Sequence, residues 1–137
     1  MKFFETSKIY SLKKSTYINL RWIAIIGQVV SVYLIYFYFK FNFDFIYSNV
    51  IIFFGILSNF YLIYIYKNTQ LSERSALIFL LIDIFQLASL IYLTGGVVNP
   101  FIIFLIIPSV FASSNLGFRT NVLIVSITTL VIIFLTF

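Results

Sequence analysis

The sequence predicts an all-α integral membrane fold, with about five transmembrane helices in a single bundle. Three observations predict it. Hydrophobic residues make up 62% of the chain and charged residues only 9%; no soluble domain of this size hides that share of apolar surface, so lipid must be its solvent. The apolar runs are continuous rather than alternating, which excludes an outer-membrane barrel. The cations gather at the ends of these runs, as topology signals do.

A basic cytoplasmic leader is expected over 1–19, carrying Lys2, Lys8, Lys13 and Lys14. It is not a cleaved signal, because the run that follows is long, aromatic and lacks a small-residue cleavage site. The transmembrane region then fills 20–137. Its first helix runs from about Leu20 to Phe39, near the ~20 residues that cross a bilayer core. Arg21 and Trp22 are placed at its cytoplasmic interface, where cations and indoles anchor. The short connection Lys40 to Asp44 turns a second helix, about 45–66, back antiparallel. Gly55, Ser58 and Asn59 give that helix a small polar contact face.

Lys67 to Ser75 is polar, and Ser72 is positioned to cap a third helix over about 76–94. A fourth helix covers about 100–116; Pro108 removes a backbone donor inside it and should bend it. Ser113, Ser114 and Asn115 make its polar end. After a turn bearing Arg119, a fifth apolar run covers 121–137. Lys2, Lys8, Lys13, Lys14, Arg21, Lys67, Arg74 and Arg119 fall on one side of this arrangement, and only Lys40 on the other. The positive-inside rule puts the N-terminus in the cytoplasm and the Gly95–Pro100 loop on the outer face.

Absences narrow the chemistry. There is no Cys and no His, and Met1 is the only Met. Disulfides, thiol switches, phosphohistidine and His or Met ligation of haem are therefore excluded within this chain. The four acids are widely scattered, so no metal site is expected. The net charge of +5 does not point to nucleic acid, because the cations flank membrane runs.

The candidate site is the polar break Leu93-Thr94-Gly95-Gly96-Val97-Val98-Asn99-Pro100-Phe101. Gly95 and Gly96 permit backbone angles closed to other residues, and Asn99-Pro100 is a turn signal. One reading is a tight connection between helices. The other is a binding loop: bared backbone N–H groups, the Asn99 amide and the faces of Tyr92 and Phe101 suit a flat ring with carbonyl oxygens and an apolar tail. Asp83 is the one acid inside an apolar run, and with Gln86 and Thr94 it shares a helix face. Eleven residues separate Asp83 from Thr94, about 16 Å along a helix. Asp83 is therefore expected to join helices, with Gln28 or Asn59 as partners, or to serve a sensing or proton role, without touching a ligand at the loop.

At these residues the chain resembles the RegB/PrrB/ActS family of redox-responsive sensor histidine kinases. The break matches the family's GGxxNPF loop. Leu20-Arg21-Trp22-Ile23-Ala24-Ile25-Ile26-Gly27-Gln28 matches its LRWxAxxGQ opening, and Leu71-Ser72-Glu73-Arg74 with Asp83 and Gln86 resembles the start of its third helix. The three landmarks stand in register across Leu20 to Phe101.

The resemblance implies a six-helix membrane sensor of the bacterial inner membrane, a homodimer, whose kinase domain addresses a response regulator. It implies ubiquinone as ligand, with Gly95, Gly96, Asn99, Pro100 and Phe101 carrying the quinone response. The sixth helix, the phosphoacceptor His and the ATP site of that family are not in these residues, so this chain is not itself catalytic. The expectation is a truncated sensor or a fragment of a longer reading frame. A reading from another class is a small membrane scaffold or transporter subunit without a redox ligand.

Overall fold

The computed structural model describes residues 11–66 and 70–137. The leader residues 1–10 lie outside the described residues. Helix α1 spans Lys14–Phe37, α2 Phe45–Tyr64 and α3 Glu73–Leu93. A 3-10 turn, Gly96–Val98, and a 3-10 helix, Pro100–Ile106, lead into α4, Ile107–Asn115, and α5 covers Phe118–Thr136. Strand β1 (Ser11–Lys13) pairs antiparallel with β2 (Gln70–Ser72), joining the chain just before α1 to the chain just before α3. The sequence reading had no strands. It also began the first helix six residues too late, because polar Lys14 to Asn19 extend α1 below its apolar stretch.

Helices α1, α2, α3 and α5 are each long and apolar enough to cross a membrane. The segment between α3 and α5 is shorter, but it runs from one end of the bundle to the other. Glu73 at the start of α3 binds Gly117 and Thr120 at the start of α5, whereas Gly96 lies beside Leu135 at the far end of α5. The chain must therefore return from the loop end of the bundle to the leader end between Pro100 and Asn115. A 3-10 helix rises ~2.0 Å per residue against ~1.5 Å for an α-helix, so this mixed segment reaches roughly 27 Å, close to the ~30 Å core. Pro108 lies in the first turn of α4, directly after the 3-10 stretch. The irregularity expected of the fourth helix is thus a change of helix type rather than a mid-helix bend.

The core follows from lipid as solvent. Leu62, Ile84, Ile91, Leu105 and Ile124 are fully enclosed at the helix contacts, and Leu71 of β2 is enclosed with them. Ile23, Ile46, Phe54 and Leu130 stand outward, which lipid permits. Several small hydroxyls are satisfied within their own helix: Ser31 donates to the Gly27 carbonyl, Ser89 to Phe85, Ser126 to Val122 and Thr129 to Val125. Tyr33, Tyr36, Phe37, Phe43 and Phe45 cluster where α1 turns into α2, with Tyr36 and Phe45 stacked at 4.4 Å. Such a ring of aromatics suits the boundary between lipid and water.

Candidate functional site

The loop takes its shape from four residues. Gly95 has φ +124° and Gly96 φ +62°, conformations that L side chains rarely adopt. Thr94 ends α3, and its hydroxyl donates to the Leu90 carbonyl at 2.7 Å. Asn99 closes the loop: its amide donates to Thr94 Oγ1 at 2.6 Å, and its carbonyl oxygen accepts from the Phe101 N–H at 2.9 Å. That second bond makes Asn99 the N-cap of the helix opened by Pro100. Asn99 is accordingly buried, as is Thr94. The amide that looked available in the sequence is engaged inside the loop.

The two flanks of the loop differ. On the α1 side it shuts a cavity of about 20 Å³ bounded by Gln28, Ser31, Thr94, Asn99, Phe101 and Phe104. That is room for one water molecule and too little for a ring. On the α5 side lies an open groove of about 780 Å³ between α2, α3 and α5. Tyr92 and Leu135 stand at its loop end, and Tyr92 stacks on Phe134 with ring centres 6.5 Å apart. The Tyr92 hydroxyl has no partner among the described residues.

Below the cavity, Gln86 donates to Gln28 Oε1 at 2.9 Å, tying α3 to α1. Gly55 of α2 leaves the space for this pair, since a methyl group there would overlap the Gln86 amide. One turn further from the loop is a charged knot. Arg21 donates to Asp83 Oδ1 through Nε at 3.1 Å and Nη2 at 2.8 Å. Tyr17 donates its hydroxyl to Asp83 Oδ2, and Arg21 Nη2 also reaches Ser58 of α2 at 2.7 Å. The guanidinium lies over the Tyr17 and Phe79 rings. Arg21 Nη1 and both amide atoms of Asn59 are buried there without hydrogen-bond partners among the described residues.

Two expectations change. Arg21 is not an interfacial anchor; it is 5% exposed and neutralises Asp83 inside the bundle. Asp83 does join helices, but through Arg21 and Tyr17 rather than Gln28 or Asn59. The sequence already held the pairing signal, one acid inside an apolar run and one cation at the edge of another. The reading of Arg21 as a topology marker hid it. At the leader end, Lys14 donates to the Ile63 carbonyl at 3.2 Å and to Tyr66, closing the C-terminus of α2. Glu73 accepts from the Gly117 N–H at 3.0 Å and from the Thr120 hydroxyl at 2.6 Å.

Fold and site together define a multi-pass helical membrane domain whose polar groups run along its interior from one end toward the other. The chain belongs to the family of PilS-like transmembrane domains, a six-helix (6TM) family that matches residues 9–137. It is also similar to the sensor histidine kinase RegB of Cereibacter sphaeroides, 30% identical over 110 residues, which cover 80% of this chain and 24% of that protein. The chain thus spans about a quarter of the length of this relative. No solved structure matches. Family and relative support a sensor-kinase membrane domain in contact with the lipid bilayer.

Proposed function

We propose that this chain is the redox-sensing membrane region of a two-component sensor histidine kinase, with ubiquinone received at the Gly95–Phe101 loop. In this reading it lies in the bacterial inner membrane, N-terminus in the cytoplasm and loop on the outer face. With Arg21 removed from the count, seven cations still lie on the leader side and only Lys40 opposite. The protein works as a homodimer, and a kinase domain outside these residues addresses the response regulator.

The observation that carries the reading is the position of the loop. Thr94, Asn99 and Phe101 wall one cavity together with Gln28, and Gln28 holds Gln86. A change in the loop therefore has a packed route into the contact between α1 and α3. The groups that fit a quinone are on the other flank. The exposed Tyr92 hydroxyl, without a partner among the described residues, is a donor for a ring carbonyl, and Gly95 and Gly96 let the backbone come close. Bound there, the quinone supplies a ring whose carbonyls accept hydrogen bonds when oxidised and whose hydroxyls donate them when reduced. The loop must hold the two forms differently, since a ligand shifts a conformational balance only by its difference in affinity.

The test is equilibrium binding of ubiquinone to the purified chain in lipid nanodiscs. Asn99→Ala and Phe101→Ala should each weaken binding, the first by opening the loop and the second by removing a wall of the cavity. Equal affinity in both variants and the parent would show that the loop is only a turn.

A further inference from the structure

The charged knot holds more polar groups than its own contacts use. A guanidinium carries five N–H donors in one plane. In Arg21, Nε and one Nη2 hydrogen go to Asp83, and the other Nη2 hydrogen goes to Ser58 of α2. Nη1 shares with Nη2 the edge that the Ser58 bond turns toward α2, and its own hydrogens have no partner among the described residues. The Tyr17 and Phe79 rings lie 5.6 and 5.8 Å from the centre of the group, so its surroundings on that side are apolar.

Asn59 supplies the complement. It is 0% exposed, and neither its amide nitrogen nor its oxygen has a partner among the described residues. The helix sets its direction. Gly55, one turn earlier on α2, abuts the Gln86 amide of α3, so Asn59 shares that inward face. The two helices are antiparallel, so the turn from Gly55 to Asn59 matches the turn from Gln86 back to Asp83. Asn59 therefore enters the interior at the depth of the knot, next in sequence to the Ser58 that Arg21 already holds.

Lipid offers these atoms nothing, and buried polar groups without partners are rare. The donor set decides what joins them. Asp83 already neutralises Arg21, so an added anion would bring uncompensated charge, and the Asn59 carbonyl would repel it. A cation is opposed by the guanidinium. A small neutral molecule that both accepts and donates meets every group at once: it accepts from Nη1 and donates to Asn59 Oδ1. A buried water does this, typically with about three hydrogen bonds.

We propose that the knot contains a water-binding site, in which a water bridges Arg21 Nη1 of α1 to the Asn59 amide of α2 beside the Asp83 carboxylate of α3. The site turns a two-helix ion pair into a three-helix joint. Its link to α2 is a molecule that can re-aim its bonds, so α2 can follow Arg21 without a fixed side-chain contact to Asn59.

The experiment is magnetic cross-relaxation from water to side-chain hydrogens in the full chain, labelled with nitrogen-15 at Arg and Asn and held in lipid nanodiscs. The sign of the transfer separates a bound water from proton exchange. In the parent, both the Asn59 amide and Arg21 Nη1 should receive it. Asn59→Leu should abolish the transfer at Arg21, and Arg21→Lys should abolish it at Asn59. Each variant reads the bridge from the opposite side, so either suffices if the other does not fold, and the parent decides whether water is there at all. No transfer to either group in the parent would overturn the site. Transfer that survives at one group after loss of the other would overturn the bridge, since each group would then hold its own water. A direct contact of the Asn59 amide with the Asp83 or Gln86 side chain would overturn it by naming another partner.

Discussion

Asp83 is the residue whose removal should disturb this bundle most. Its two oxygens accept three hydrogen bonds, from Arg21 Nε, Arg21 Nη2 and Tyr17. Asp83→Leu leaves the Arg21 guanidinium enclosed, with Ser58 as its one remaining hydrogen-bond partner among the described residues. Removing one member of a buried ion pair costs about 3–5 kcal/mol, because the other charge is left uncompensated. Asp83→Asn keeps an oxygen for Tyr17 and Arg21 and should fall between parent and Asp83→Leu. Removing both charges differs in kind. Arg21→Met with Asp83→Leu newly deprives the Tyr17 and Ser58 hydroxyls of these partners, at about 1–3 kcal/mol each, while apolar packing replaces the desolvated ions. The double variant should recover at least about 2 kcal/mol of what Asp83→Leu loses. Trp22 provides the assay. It is the only tryptophan, adjoins Arg21, and packs edge-on against Phe60 of α2 at 5.6 Å. Its emission during denaturant titration in mild detergent therefore follows the α1–α2 contact. If the double variant loses as much as the two single variants summed, Arg21 and Asp83 do not compensate each other and the knot is misread.

Other substitutions test other joints. Glu73→Ala should free the Gly117 N–H and the Thr120 hydroxyl and cost about 1–3 kcal/mol; amide exchange over Gly117 to Asn121 should quicken, and Glu73→Gln, which keeps an acceptor, should restore part of the protection. Gly95→Ala should destabilise by about 1–3 kcal/mol and Gly96→Ala by about 1 kcal/mol, since φ +62° is open to L residues at modest cost while φ +124° is not; thermal melting would reverse this reasoning if the order inverted. Gly55→Ala should push the Gln86 amide off Gln28, so its loss and that of Gln86→Leu should not add in the double variant.

The helices were legible because lipid imposes a simple rule on sequence. Every backbone group must be paired within the span, so an uninterrupted apolar run of about 20 residues has one outcome. The polar face of α2 was legible for a related reason: Gly55 and Asn59 are buried and Ser58 meets Arg21, as small and polar residues do where membrane helices touch. The cap at Ser72 was legible from chemistry alone, and its hydroxyl accepts the Ser75 N–H at 3.3 Å. The β1–β2 pair was not. Three-residue strands carry no periodic signal, and only the folded chain brings 11–13 to 70–72. The loop was half legible. The glycines announced their backbone, but Asn99 turned inward, because a side chain that can bond its own turn is held there without loss of reach.

Arg21 shows where counting fails and geometry must take over. A cation at the edge of an apolar run has two stable fates: toward the headgroups, or inward onto a carboxylate. Which one holds depends on whether a neighbouring helix presents an acid at the same depth. Asp83 does, so Arg21 leaves the set of charges that orient the chain and joins those that fix α1 against α3. The remaining polar residues then sort themselves. Hydroxyls bonded to their own helix, such as Ser89 and Thr129, report only that lipid offers no other partner. Side chains bonded across helices, Arg21 to Asp83 and Gln28 to Gln86, resist any sliding of α1 along α3. The Gln28 pair is neutral and borders the loop cavity, so it is the cheaper of the two to rearrange. A ligand that alters the loop should move that pair first while the charged knot stays fixed, and α1 would then pivot at Arg21 rather than shift as a whole.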